Sequence, residues 1–297
     1  MCVLAATFTP SLAYGSPFLF GITNGGNIRQ IDIATKNSSL VFTQSLAGFA
    51  QPNALAYDFV GQNLYYRSSS SGDLFRYNIT TNTQTNILAG LTIARNADNA
   101  AFFANSYWFV QANTQTLVRI SNLGGTNTIA TFGLGAVAGT QLNFGDIAVT
   151  SGGILYGHTT NSQFFSANIS ALTVAPSGGN ATGFRIDSTG NQASLQIAFS
   201  PDPLNSTLYA HNFASTTAND KWYTIDYTSP GVAFGDATAI TGWQDGELYR
   251  DIAGSSFQPV PAPPAAISVG IGGLVGLVGT GVNRVRRRRR ATSAKIN

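Results

Sequence analysis

The residues best suited to chemistry form a polar position that recurs in successive segments of the chain. Aligning the segments brings together Asn99, Asp146, Gln196 and Asp251, with Ala54 in the remaining segment. Carboxylate and amide oxygens are ligands that calcium prefers, so these side chains are a candidate calcium-binding ring if the segments surround a channel. The alternative is that they begin strands and satisfy backbone groups through local hydrogen bonds, with no cofactor and no metal.

A second candidate site is an acidic group late in the chain, where Asp245, Glu247 and Asp251 follow Trp243. Hydrolysis of a glycosidic bond needs two carboxyl groups at a set separation, and an indole ring can stack on a sugar. This group supports an extracellular hydrolase or lyase as the alternative function. The competing interpretation is that Asp245-Gly246 is part of a turn. Because the sequence contains no nucleophile elbow, phosphate loop or dinucleotide motif, it assigns no catalytic residue.

The two histidines occupy equivalent positions in two segments, Leu155-Tyr-Gly-His158 and Leu208-Tyr-Ala-His211. Repeat ancestry explains this equivalence without a shared ligand. A zinc site needs at least three protein ligands, and the sequence offers no third ligand near either histidine. We therefore predict no metal site at these residues.

The elements that position these residues are short strands. The clearest unit contains four apolar or alternating runs separated by turn residues, namely Asn53–Tyr57, Asn63–Arg67, Asp73–Tyr77 and Thr85–Leu88. The second run recurs near Phe18, Leu64, Tyr107, Leu155 and Leu208, at intervals of roughly 43 to 53 residues. Four short strands per interval predict an all-β fold, a β-propeller with about five four-stranded blades. An open β-sandwich is the alternative architecture.

The two ends of the repeat region predict how the ring closes. The region begins with a second-strand run, Phe18–Thr23, and it ends with a first-strand run, Tyr249–Gly254. Pairing these runs completes one blade from both ends of the chain, which removes the exposed sheet edges that an open ring would leave. Five blades result, and six are the alternative if two were merged or one preceded the recorded start. We assign the propeller to residues 14–256.

The composition supports strands and excludes some partners. Charged residues make up 10% of the chain, and Glu247 is its one glutamate, so residues that favour helices are scarce. Seven of the 16 basic residues lie at or beyond Arg284, which leaves nine basic residues against all 13 acidic ones in the rest of the chain. A body with excess negative charge has no cationic face for nucleic acid. Cys2 is the one cysteine, so no disulfide forms within the chain.

The N-terminal residues 1–13 are a candidate signal-peptide remnant. An apolar run from Cys2 to Phe8 precedes Ser11 and Ala13, which are small residues at the −3 and −1 positions of a possible cleavage site before Tyr14. No basic residue precedes the apolar run, and a first strand is the alternative interpretation.

The C-terminal region has three parts: a proline-rich linker at 257–264, a predicted transmembrane helix at 265–283 and a basic tail at 284–297. The apolar run of the helix spans about 27 Å at about 1.5 Å per residue, close to the hydrocarbon thickness of a bilayer. The tail carries Arg286, Arg287, Arg288, Arg289 and Arg290. Cytoplasmic arginines would place the preceding body on the outer side of the membrane. An ordinary membrane anchor is the alternative to a sorting signal.

This tripartite tail resembles the PEP-CTERM sorting signal of Gram-negative bacteria, which combines a short proline motif, one hydrophobic helix and an arginine cluster. The motif corresponds here to Val260, Pro261, Ala262 and Pro263, with Ala262 where that family usually has glutamate. The resemblance implies that an exosortase, a membrane protease, recognises the motif and removes the helix and tail. It also implies an association with extracellular polysaccharide.

The sequence therefore predicts an exported, non-enzymatic binding or structural protein of the cell envelope. Its expected partners are an exosortase, the membrane, and extracellular polysaccharide or a surface protein.

Overall fold

Strands dominate the part of the chain that the computed structural model describes. The described residues are 18–44, 52–68, 71–91, 99–111, 114–136, 142, 144–187, 192, 194–200, 206–212, 219–229, 233–243 and 245–255. Twenty strands lie within these residues and pair into five four-stranded sheets, each of them antiparallel. The prediction of an all-β propeller with five four-stranded blades is confirmed. Helical structure in these ranges is slight and includes one 3₁₀ turn, Ser170–Thr173.

The strands of the five blades have the following bounds. Blade 1 contains β1 (Phe18–Thr23), β2 (Asn27–Asp32), β3 (Asn37–Thr43) and the last strand, β20 (Tyr249–Ala253). Blade 2 contains β4 (Pro52–Asp58), β5 (Asn63–Ser68), β6 (Leu74–Asn78) and β7 (Thr83–Leu88). Blade 3 contains β8 (Ala101–Phe103), β9 (Ser106–Val110), β10 (Thr116–Ser121) and β11 (Thr128–Gly133). Blade 4 contains β12 (Phe144–Val149), β13 (Ile154–Thr159), β14 (Phe164–Asn168) and β15 (Thr182–Asp187). Blade 5 contains β16 (Leu195–Phe199), β17 (Leu208–Asn212), β18 (Trp222–Ile225) and β19 (Ala237–Ile240).

Blade 1 closes the ring with strands from both ends of the described chain. Strand β20 pairs with β1, and the register places Gly21 opposite Ile252 and Phe20 opposite Ala253. The predicted closure is therefore confirmed. Strand β20 is the first strand of blade 1, so the first strands of the five blades are β20, β4, β8, β12 and β16.

The core consists of five apolar clusters, each between two neighbouring blades. Successive residues of a strand point to opposite faces of its sheet, so each blade can pack against both neighbours. In β1, Leu19 packs in the cluster with Trp222 of blade 5, and Phe20 packs in the cluster with Tyr57 of blade 2. The Phe20 and Tyr57 rings lie edge to face, with centroids 4.7 Å apart. A single blade leaves both apolar faces exposed, which is why the blades are stable only as a ring.

A polar residue at the end of the third strand shapes the following turn in four blades. The side-chain oxygens of Asp32, Asn78, Asn168 and Asp226 each accept a hydrogen bond from a backbone N–H two or three residues later, at 2.9–3.1 Å. These Asx turns mimic a backbone turn and direct the chain into the outer strand.

Candidate functional site

The first strands place one polar side chain from each blade at the same level of the ring. These residues are Asn53, Asn99, Asp146, Gln196 and Asp251, and each is at most 7% exposed. Asn99 lies two residues before the start of β8, and the others lie within their strands. We call this set the inner polar ring.

Blade 2 differs from the sequence alignment, which put Ala54 in this position. Asn53 pairs with Arg67 on the next strand, just as Asp146 pairs with His158 and Gln196 pairs with His211. The register of β4 shifts between Asn53 and Ala56, and Ala54 has a φ of 56°. A β-bulge adds one residue to a strand and moves the next residue out of alignment. The polar position of blade 2 is therefore Asn53.

The two aspartates of the inner polar ring connect neighbouring blades through backbone hydrogen bonds. Asp146 accepts the N–H of Ile147 in its own strand and the N–H of Ile197 in blade 5, both at 2.7 Å. Asp251 accepts the N–H of Ile252 at 2.9 Å and the N–H of Leu55 in blade 2 at 2.6 Å. Charge-assisted bonds of this kind are stronger than bonds between neutral groups. Each carboxyl group therefore joins two first strands of the ring.

The carboxyl groups of Asp146 and Asp251 also meet each other. They lie within hydrogen-bond contact, although their strands belong to blades 4 and 1, and both side chains are fully buried. Burial, followed by the charge of Asp251, raises the pKa of Asp146 well above its ordinary range. The shift favours the state in which the two carboxyl groups hold one proton between them.

The other members of the inner polar ring have different roles. The Asn99 side chain bonds both backbone groups of Val110 in its own blade, at 2.8 Å and 3.2 Å. Asn53 accepts the N–H of Ala54 at 3.0 Å. The Oε1 atom of Gln196 is buried and accepts no hydrogen bond from the described residues. Of the predicted calcium ligands, Asp146 and Asp251 lie together, and Asn99 is turned toward its own blade.

Two further groups stand beside the carboxyl pair, and neither was predicted from the sequence as part of the site. Tyr107 is fully buried and donates its hydroxyl proton to the Ala54 carbonyl at 2.6 Å. Burial raises the pKa of Tyr107, Arg67 opposes this rise, and both aspartates add to it, so the four side chains share one electrostatic environment. The Arg67 guanidinium is fully buried and lies 5.5 Å from the centroid of the Phe109 ring.

The two histidines lie in separate blades, as their repeat positions predict. His158 Nδ1 accepts the N–H of Leu195 at 3.3 Å, and burial lowers the pKa of His158 to about 4. His211 contacts Asp220 through Nε2 and packs beside Trp222, with ring centroids 4.8 Å apart. Throughout the described ranges, no three side chains from histidine, cysteine, aspartate and glutamate come together in a group that could hold a metal.

The acidic group near Trp243 does not form one site. Asp245 accepts the hydroxyl proton of Tyr249 at 2.6 Å, Glu247 forms an ion pair with Arg29 at 3.0 Å, and Asp251 belongs to the inner polar ring. Trp243 is 5% exposed and stacks on a second buried indole, Trp222, with centroids 4.2 Å apart. The expectation that Trp243 presents its ring to a sugar is wrong, because the ring faces are used in packing.

Beyond the inner polar ring, residues of the first strands line a small cavity. One alanine from each blade contributes to it, namely Ala56, Ala101, Ala148, Ala198 and Ala253. In four blades this alanine follows the polar residue by two positions, and the bulge of β4 adds one position in blade 2. Residues two apart in a strand point to the same side, so the first strands carry a level of polar side chains and a level of alanines.

Several predicted features lie outside the described residues. These are the signal-peptide remnant at 1–13, the sorting motif Val260–Pro263, the helix at 265–283 and the arginine cluster Arg286–Arg290. Within the ranges that are described, no helix has the length and apolar character that a membrane crossing requires.

Comparisons with known proteins concern the fold alone. No protein-family model and no characterised protein matches the sequence. Among solved structures, the chain is similar to one from a nidogen–laminin complex, with 12% identity, a TM-score of 0.47, and coverage of 82% of this chain and 100% of that one. It is also similar to an auxiliary nutrient-binding protein from Bacteroides thetaiotaomicron, with 13% identity, a TM-score of 0.49, and coverage of 78% and 56%. A structural-genomics protein from the same bacterium has 12% identity and a TM-score of 0.44, with coverage of 66% and 56%. The chain thus spans about half the length of each of the two bacterial proteins.

Proposed function

We propose that this protein is a non-enzymatic binding module that is exported to the cell envelope, where it binds extracellular polysaccharide or a surface protein. The observation that supports the binding role best is the use of the candidate acids in holding the fold. Asp146 and Asp251 join blades through backbone amides, Asp245 accepts a proton from Tyr249, and Glu247 pairs with Arg29. A general acid and its partner base must both reach one substrate bond, and these carboxyl groups are committed to different structural partners.

A closed ring of this kind suits recognition because it holds the connecting loops on a rigid frame. Binding residues are often on loops whose ends are fixed by a scaffold. The five interblade clusters and the two interblade aspartates supply that rigidity here. The scarcity of charge in the chain favours partners that are recognised by hydrogen bonding and stacking, such as polysaccharides.

The binding role is tested with the full chain purified in detergent and presented to immobilised bacterial polysaccharides and a glycan array. We expect saturable binding to a subset of glycans. Gly254→Val obstructs the approach of β20 to blade 5 and should lose binding together with the closed ring. Asp32→Asn, which keeps an oxygen for the Asx turn, is the matched control and should bind as the parent does. Absence of binding to every glycan, together with no partner in pull-downs from the producing cell, would refute this role. Turnover of a polysaccharide that Asp245→Asn or Glu247→Gln abolishes would instead favour the hydrolase or lyase.

The export and processing part of the proposal is supported by the sequence of the C-terminal region. The proline motif, the apolar run and the arginine cluster succeed one another in the order that the sorting signal requires. We infer that an exosortase cuts near the motif and that the arginines hold the tail in the cytoplasm until then.

Intact-mass measurement tests this inference in a host with and without exosortase. With the protease, we expect a product that ends near residue 264, and without it a membrane-bound full chain. The double variant Pro261→Ala and Pro263→Ala should keep its full mass, whereas Lys295→Gln, which lies outside the arginine cluster, should be processed normally. A full-length product in the soluble cytosolic fraction of both hosts would overturn the export proposal.

A further inference from the structure

The turn that joins β1 to β2 contains Asn24-Gly25, the one asparagine–glycine pair of the chain, and both residues are exposed. The bonds that shape the turn use later donors. The N–H of Gly26 bonds the Thr23 carbonyl at 3.0 Å, and the N–H of Asn27 bonds Thr23 Oγ1 at 3.2 Å. Apart from its two chain neighbours, a Cβ on Gly25 would meet one atom within 4 Å, Thr23 Oγ1 at 3.9 Å. The Gly25 nitrogen therefore lies in an open part of the surface.

The side chain of Asn24 is polarised by a cation. The Nη1 atom of Arg250 donates a hydrogen bond to Asn24 Oδ1 at 3.1 Å. A positive donor on a carbonyl oxygen draws electrons from the carbonyl carbon and stabilises the negative charge that develops on the oxygen when a nucleophile attacks. Arg250 belongs to β20, so this contact also connects the turn to the strand that closes the ring.

We propose that Asn24-Gly25 is a site of spontaneous deamidation in the blade that closes the propeller. The backbone nitrogen of Gly25 loses its proton to hydroxide and bonds Asn24 Cγ, and the side-chain amide nitrogen leaves as ammonia. Because both groups belong to one chain, the reaction needs no collision of separate partners. The succinimide ring that results takes up one water molecule, which breaks either of its two bonds between a carbonyl carbon and the nitrogen. One product has aspartate at position 24, and the other has isoaspartate.

The two products should affect the closing blade differently. Aspartate keeps the backbone and places a carboxylate beside Arg250, and an ion pair at the surface has little effect on stability. Isoaspartate adds one carbon to the backbone between positions 24 and 25, inside the turn that the bond from Gly26 to Thr23 spans. Turn length fixes the register of a hairpin, and Thr23 also pairs with Tyr249 of β20. We therefore expect isoaspartate to weaken the pairing that closes the ring.

The chain contains an internal reference, Asp245-Gly246, which is its one aspartate–glycine pair. This pair could form the same ring with loss of water. Both side-chain oxygens of Asp245 are held, because Oδ1 accepts the N–H of Glu247 at 3.1 Å and Oδ2 accepts the hydroxyl proton of Tyr249 at 2.6 Å. A carboxylate is also a poorer electrophile than an amide. Asp245 should therefore remain unchanged while Asn24 reacts.

The test is to incubate the purified full chain in detergent at pH 8 for several weeks and to analyse its peptides by mass spectrometry. The peptide with Asn24 should gain about 1 Da, because a hydroxyl replaces an amino group on the side chain. Part of the product should accept a methyl group from an isoaspartyl methyltransferase, whereas the peptide with Asp245 should not. The isoaspartate fraction should unfold at a lower urea concentration than the unmodified chain. An equal midpoint would overturn the effect on the closing blade.

Gly25→Ala is the matched variant, because the φ angle of Gly25 lies outside the left-handed region and the added Cβ has room. It should unfold as the parent does. The methyl group hinders the approach of the backbone nitrogen to Asn24 Cγ, so we expect the mass gain at Asn24 to be at least about tenfold slower. The proposal is overturned if the parent keeps its amide at Asn24 throughout, or if Gly25→Ala loses the amide as quickly as the parent does.

Discussion

Replacing Asp146 with asparagine should change the stability of the propeller by an amount that depends on pH. The carboxyl group of Asp146 accepts two backbone N–H bonds, from Ile147 and from Ile197 of the neighbouring blade. An asparagine side chain has one acceptor oxygen, so one of these buried N–H groups loses its partner. The cost is about 1–3 kcal/mol, the usual penalty for a buried donor left unsatisfied. This loss is fully visible at low pH, where the carboxyl pair of the parent holds its shared proton.

The pH dependence follows from the raised pKa of Asp146 in the folded state. Between the ordinary pKa of an unfolded aspartate and this raised value, the folded chain binds one proton more than the unfolded chain. The free energy of unfolding of the parent therefore decreases as pH rises, by about 1.4 kcal/mol per pH unit, and the contribution is complete only below the unfolded pKa. Asp146→Asn has no such proton to lose. The stability deficit of the variant should shrink as pH rises. It should reverse sign about one or two pH units above the pH at which the parent begins to lose this stability.

Urea unfolding of parent and variant at pH 5, 6, 7 and 8 measures this difference, with a chelator present to exclude calcium. His158, whose pKa burial lowers to about 4, destabilises both chains as pH falls below its unfolded pKa, and its contribution cancels in the comparison. Asp32→Asn, a control outside the inner polar ring that keeps an oxygen for the Asx turn, should differ from the parent by less than about 0.5 kcal/mol at every pH. Parallel curves for the parent and Asp146→Asn would refute the shared proton.

Other parts of the ring allow further tests by urea unfolding. In Gly254→Val, an added Cβ would lie 1.8 Å from the Phe199 carbonyl oxygen, so we expect destabilisation beyond about 3 kcal/mol or loss of the cooperative transition, whereas an unchanged midpoint would contradict the close approach of β20 and β16. Tyr107→Phe removes the buried hydrogen bond to the Ala54 carbonyl and should cost about 1–3 kcal/mol; a cost near zero would show that this bond is not formed. Trp243→Ala should cost about 3–5 kcal/mol because the indole is buried against another ring, and a neutral effect would return Trp243 to the candidates for ligand stacking.

The blade architecture could be predicted from the sequence because its signal is local and repeated. Each strand is a short apolar run, and each run returns at a nearly constant interval, so an error in one unit is corrected by the others. The closure of the ring was predictable for a related reason. The strand Tyr249–Ala253 has the pattern of a first strand and lacks a following partner within its own repeat, and Phe18–Thr23 lacks a preceding one.

The details of the site were less predictable because they depend on local geometry, which the spacing of the repeated strands in the sequence does not show. The bulge at Ala54 shifts β4 by one residue, so sequence alignment placed the wrong residue in the polar ring, although Asn53 stands beside it. The contact between Asp146 and Asp251 joins blades 4 and 1, which are not neighbours in the ring. Composition likewise cannot show whether Trp243 faces solvent or Trp222, since either position suits an indole.

The number of blades and the chemistry of the inner polar ring are physically linked. The first strands surround the axis, so the distance across the channel depends on how many blades complete the circle. With five blades, side chains from blades 4 and 1 reach each other, and two carboxyl groups that hold neighbouring strands together are also forced into contact. A wider ring of the same strands would separate them and remove the shared proton. The pH dependence of unfolding therefore reports on the closeness of Asp146 to Asp251, and a chain that lacked it would not have the interior described here.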